Sequence, residues 1–92
     1  MKSISFHAKV HGAVQGVAFR FYTKQRATEL GLGGWVRNLP NGSVEVRALG
    51  DRSALEELAR WLNDGPPAAC VDRVEMAWEE VESDASPFRV RT

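Results

Sequence analysis

The segment His11-Gly12-Ala13-Val14-Gln15-Gly16-Val17-Ala18-Phe19-Arg20 holds the residue types best suited to chemistry in this chain. Its two glycines permit backbone angles that turn successive N–H groups into one concavity, and a helix beginning at its end adds unpaired amides and a favourable dipole. Such a loop suits a phosphate group. Arg20 falls in the first turn of that helix, where its planar fork of donors can fold back and hold two phosphate oxygens. On these residues alone the competing reading is a tight strand-to-helix turn followed by a solvated arginine.

A second candidate is Asn38, at the end of Gly34-Trp35-Val36-Arg37-Asn38. Its amide offers donors and an acceptor without charge, so it can orient a water beside an anion. The following Leu39-Pro40-Asn41-Gly42 equally admits a turn-capping asparagine.

Other phosphoryl-transfer chemistries lack their residues. The residue six after Cys70 is Met76 and not the arginine of a cysteine phosphatase loop, and no Arg-His-Gly, paired aspartates or Gly-x-Ser-x-Gly elbow occurs. A covalent phospho-enzyme is therefore not expected. His7 and His11 share one side of a strand with no carboxylate or third histidine near them in sequence, so no metal is expected, nor any cofactor. Binding groups, an oriented water and no evident general acid fit hydrolysis of a bond whose leaving group departs without a proton.

Around these residues the elements follow from periodicity. Ile4, Phe6, Ala8 and Val10 alternate with polar residues as a first strand. Phe19, Tyr22, Thr23, Ala27 and Leu30 recur on one face of a helix stopped by Gly31, Gly33 and Gly34. Trp35 to Asn38 and Ser43 to Leu49 form a hairpin through an Asn-Gly turn, with Glu45 and Arg47 facing water. Asn38's strand runs parallel to the first after one βαβ crossover. Ser53 and Glu56 stand at capping-box spacing before a second helix bearing Leu55, Leu58, Ala59 and Leu62. Val74, Met76 and Trp78 make a fourth strand, and Pro87 to Arg91 a short fifth. The order βαββαβ plus a short C-terminal strand predicts an α+β, two-layer ferredoxin-like split βαβ sandwich, a mixed sheet with both helices on one face.

The 92 residues form one domain, 1–92, with a single core. Twelve Lys and Arg balance twelve Asp and Glu, which excludes polyanion attraction: neither nucleic acid nor a membrane is an expected partner. The balance conceals an asymmetry. Residues 1–44 hold six basic groups and one acid, Glu29, whereas residues 45–92 hold six arginines and eleven acids. No carboxylate precedes Glu29, so an anion at the glycine loop meets no repulsion from its own segment. Trp35, Trp61 and Trp78 are expected in core or rim packing. The acidic run Glu79, Glu80, Glu82 and Asp84 reads as a solvated edge or loop, and Cys70 as an inert thiol in a connection. With one cysteine, and neither a signal-peptide pattern nor a run of about 18 apolar residues, a reducing, cytoplasmic location is expected.

Val10 to Arg20 resembles the first signature of the acylphosphatase family, V-x-G-x-V-Q-G-V-x-F-R, and Gly34-Trp35-Val36-Arg37-Asn38 through Gly42, Val44 and Gly50 resembles its second. Departures are His11, where a less basic or aromatic residue is expected, and Arg91-Thr92 in place of the aromatic finish of some relatives. The resemblance implies hydrolysis of acyl phosphates to carboxylate and inorganic phosphate by a monomeric enzyme. It implies Arg20 as the substrate-binding arginine, Asn38 as the water-positioning residue, and the backbone of Gln15, Gly16, Val17, Ala18, Phe19 and Arg20 as the phosphate cradle. Inorganic phosphate is then product and inhibitor. The alternative is a non-catalytic phosphate-binding or interaction domain on the same fold.

Overall fold

Alternation along the strands decides the layering: Phe6, Ala8 and Val10 of the first strand and Val44, Val46 and Ala48 of the third lose all solvent exposure, together with Leu55, Leu58 and Leu62 of the second helix. A computed structural model describes residues 2–82 and 87–92 of the chain. It runs β1 (Lys2–Ala13), α1 (Phe19–Glu29), β2 (Gly33–Asn38), β3 (Val44–Gly50), α2 (Arg52–Asp64), β4 (Cys70–Glu82) and β5 (Phe88–Val90). The sheet order is β4-β1-β3-β2-β5. β3 is antiparallel to both β1 and β2, β4 is antiparallel to β1, and β5 is parallel to β2. β2 therefore does run parallel to β1, with β3 between them. Phe19 and Ala27 of α1 and Leu55, Leu58 and Leu62 of α2 are buried in the same cluster as the inward strand residues, which is the two-layer ferredoxin-like arrangement expected.

Several local expectations are corrected. α1 ends at Glu29 with Leu30 as its cap, and Gly33 and Gly34 enter β2. Gly34 sits where an added Cβ would lie 1.9 Å from the Arg47 carbonyl oxygen, so only glycine lets β2 and β3 approach there. Tyr22 leaves the α1 stripe and is 41% exposed, because α1 buries only the narrow line Phe19, Thr23 and Ala27. The capping box does not form: Asp51 is the α2 N-cap, and Ser53 Oγ donates to its carboxylate at 2.6 Å. Cys70 opens β4 as a free, exposed cysteine and does not lie in a connection. Glu79, Glu80 and Glu82 are exposed on β4, an edge strand, so of the two readings of the acidic run the solvated edge holds and the loop does not. Asp84 lies outside the described residues.

The sheet face away from the helices also departs from a simple wet surface. Glu45 is only 7% exposed, since His7 Nε2 donates to its Oε2 at 2.6 Å and Arg37 Nε to its Oε1. His11 likewise meets Glu75 at 3.1 Å, so carboxylates distant in sequence partner both histidines. Trp35 lies on this face with two guanidinium groups near its ring, Arg37 5.2 Å and Arg91 4.9 Å from the ring centre. Trp61 packs against Phe19 and Trp78 against Phe6, at the core's margin as expected.

Burial pushes the Glu45 carboxyl up, but its hydrogen bonds and attraction to Arg37 and His7 outweigh that and hold it below the usual carboxylate range. A depressed native value gives stability that is complete above the unfolded pKa of about 4.3 and is lost as pH falls through the native value. We expect Glu45→Gln to cost about 1 kcal/mol at pH 7. Urea unfolding below pH 5 checks this: the parent should lose its advantage over Glu45→Gln as the pH falls, and parallel losses would exclude Glu45 as the cause.

Candidate active site

The connection from β1 to α1 is shaped by two residues with left-handed backbone. Gly16 has φ 77°, and Ala18, with φ 58° and ψ 26°, is the only non-glycine of positive φ among the described residues. That conformation costs an L-residue on the order of 1 kcal/mol and persists where surrounding structure enforces it. Nothing lies within 4 Å of where a Gly16 Cβ would stand, so the loop is open on that side. Alternating backbone hand directs successive N–H groups into a concavity. Ala18 is also the N-cap of α1 and supplies no side-chain cap, and no acid occupies the first helical turn. The amides of residues 15–18 donate to no backbone acceptor among the described residues, which leaves loop and helix start open to an anion.

A cavity of about 310 Å³ opens over this loop, lined by Val14, Gly16, Ala18, Phe19, Arg20, Phe21, Lys24, Asn38 and Val90. Arg20 and Asn38, separated by eighteen positions in sequence, thus share one cavity with the loop. No carboxylate lines it, so the charges of Arg20 and Lys24 are not offset there. Arg20 Nη1 donates to the Arg91 backbone carbonyl at 3.3 Å, a contact that steadies the guanidinium and leaves most of its five donors free. Arg91 N in turn donates to Val36 O at 2.8 Å, so the acceptor is fixed to β2.

Gln15 does more than its expected backbone part. Its side-chain amide donates to Leu39 O at 2.8 Å and Ser43 O at 2.9 Å, tying the loop to the two ends of the β2–β3 turn. Asn38 immediately precedes that turn. Its side chain makes no hydrogen bond among the described residues, whereas Asn41 Oδ1 accepts from Ser43 N at 3.0 Å and Ser43 Oγ at 2.6 Å. Turn-capping therefore belongs to Asn41, and the Asn38 amide is left free at the cavity wall. Sequence reasoning missed Phe21, Lys24, Val90 and the Arg91 carbonyl as members of the site. For Lys24, its place one helical turn after Arg20 was an available signal; for a backbone carbonyl there was none. No group of three or more His, Cys, Asp or Glu residues able to hold a metal occurs among the described residues.

The family model described as Acylphosphatase matches residues 6–90. A curated acylphosphatase of Thermococcus kodakarensis is 49% identical over 82 residues, covering 89% of this chain and 90% of that one. The solved acylphosphatase of Coxiella burnetii superposes with a TM-score of 0.86 at 47% identity, covering 97% of this chain and 93% of that one. That of Bacillus subtilis gives 0.93 at 28% identity, covering 97% and 99%.

An anion seated in this loop would stabilise the fold, by about 1.4 kcal/mol at ten times its dissociation constant. Ala18→Val keeps the other lining side chains but places a β-branched residue in left-handed backbone, at an expected cost of about 1–3 kcal/mol. Thermal unfolding with and without inorganic phosphate tests it: the phosphate-induced rise in Tm should shrink in Ala18→Val, and an undiminished rise would show that the left-handed turn does not shape the site.

Proposed function

Because this chain belongs to the acylphosphatase family, we propose that Arg20, Asn38 and the backbone amides of Gln15, Gly16, Val17, Ala18, Phe19 and Arg20 carry out that family's reaction here. The enzyme hydrolyses the carboxyl–phosphate bond of acyl phosphates. The observation that carries the residue assignment is that Arg20, Asn38 and a loop with unspent amides line a single cavity free of carboxylates.

The amides and the Arg20 guanidinium hold the phosphoryl oxygens and meet their charge as the transition state forms. Asn38 orients a water in line with the bond to the carboxyl oxygen. The water oxygen bonds to phosphorus, the phosphorus–oxygen bond breaks, and its electron pair leaves on the carboxylate. Both protons of the water end on the phosphate: a dianionic acyl phosphate and water give a carboxylate and dihydrogen phosphate. A carboxylate with an ordinary pKa of about 4 departs unprotonated at neutral pH, so the step requires no general acid. No Cys, Ser, His, Asp or Glu lines the cavity, which favours water over an enzyme nucleophile and hydrolysis over a covalent intermediate. The non-catalytic alternative gives way to the enzyme on family membership. We further read residues 1–92 as one domain of a monomer, and its location as cytoplasmic; the free thiol of Cys70 supports the last of these.

Arg20→Ala should lower turnover of benzoyl phosphate at least ~100-fold, the order seen for one lost oxyanion donor. A folded Arg20→Ala enzyme working at the parental rate, measured in EDTA, would sink the assignment. Asn38→Ala should also lose most of its turnover while keeping the parental inhibition constant for inorganic phosphate. Loss of phosphate inhibition in that variant would instead place Asn38 among the binding groups.

A further inference from the structure

Exposed large hydrophobic side chains are few among the described residues, and they gather in one place. They are Phe21 at 62% exposure, Tyr22 at 41% and Val90 at 41%. Phe21 and Val90 line the same cavity as Arg20 and Asn38, and the Tyr22 ring meets Phe21 edge-on with centres 5.4 Å apart. Single exposed apolar residues need no explanation, but a cluster beside a polar site marks something that binds there.

We propose that Phe21 and Val90 form the wall that receives the acyl group, and that the enzyme favours acyl phosphates whose acyl part is an apolar ring or branched chain. This inference rests on the phosphate-site assignment above. Phe21 follows Arg20 directly in α1, and Val90 precedes Arg91, whose carbonyl accepts from Arg20. The two apolar residues are thus chain neighbours of the two groups joined in the Arg20–Arg91 hydrogen bond. A phosphoryl group held by Arg20 and the loop amides leaves the rest of the substrate to extend toward the cavity mouth. Both elements are fixed from behind: Phe19, one residue before Arg20, is buried at 2% exposure, and Val90 pairs with Val36 in β2. The cavity, at about 310 Å³, is at the small end of ligand sites, which run from about 300 to 1,000 Å³. It has room for a phosphoryl group and a compact acyl group together. Covering Phe21 and Val90 with an apolar acyl group removes apolar surface from water on both sides of the contact, a gain that a two-carbon acyl group realises only in small part.

The test compares benzoyl phosphate with acetyl phosphate on the same enzyme sample, so that the ratio of the two kcat/KM values does not depend on the fraction folded. The parent should favour benzoyl phosphate, and Phe21→Ser should cut that preference about 10-fold, the scale of discrimination one apolar contact supplies. Val90→Ser should cut it in the same direction. An unchanged ratio in both variants, with the parent still hydrolysing both substrates, overturns the acyl wall and leaves the Arg20 assignment standing; no hydrolysis of either substrate by the parent overturns that assignment first. Sedimentation of parent and Phe21→Ser adds a further outcome. A parental dimer that Phe21→Ser dissociates would mean that the patch joins two copies of the chain, and would overturn the proposal.

Discussion

The two hydrogen bonds from the Gln15 amide to Leu39 O and Ser43 O are the tie on which the rest of the site depends. β1 and β2 are not neighbours in the sheet, so the loop after one and the asparagine at the end of the other have no ladder bonds in common. A primary amide with two protons, each spent on a carbonyl of the β2–β3 turn, brings the two segments into one frame. The loop amides and Asn38 are thereby held at a fixed separation across the cavity, which is what positioning two groups on one ligand requires. A hydrophobic contact would hold them together without fixing the angle.

Charge follows the same division of labour. The sheet face opposite the helices pairs its charges locally, Arg37 with Glu45, Arg47 with Glu79 and Arg73 with Glu75. The cavity does the reverse and keeps Arg20 and Lys24 without a lining carboxylate. A guanidinium whose contact is a neutral carbonyl retains its full pull on an arriving anion, whereas one already paired with Glu would have to exchange partners. The scarcity of acids before Glu29 in the sequence is what makes such a cavity possible.

Much of this was legible in the chain. The period-two pattern of Ile4, Phe6, Ala8 and Val10, and the leucines of α2, are long signals that one face must answer, and they placed five strands and two helices in the right order. Gly16 and Arg20 stood out because few backbones and few side chains suit a phosphate, and the fold brings both to one cavity. The left-handed Ala18 was not, since alanine has no preference for that region and only the packed surroundings put it there. The far half of β4 was obscured because Glu80 falls on the inward parity after Val74, Met76 and Trp78, where an edge strand passes beyond the core. The Arg91 carbonyl is invisible in principle, since every residue has one and only the docking of β5 against β2 brings this one to Arg20.

That last contact has a kinetic meaning. It spans 71 positions, and β5 is the last strand in chain order. Contacts between distant positions must close a long loop before they return any energy, so they form late. β1, α1 and the β2–β3 hairpin can bring the loop and Asn38 together while Arg20 still swings free. With Arg20 in the role proposed above, hydrolysis depends on β5 being docked and weakens when β5 frays. Turnover reports on the docking of one short strand that bulk spectroscopic signals of helix and sheet would hardly register.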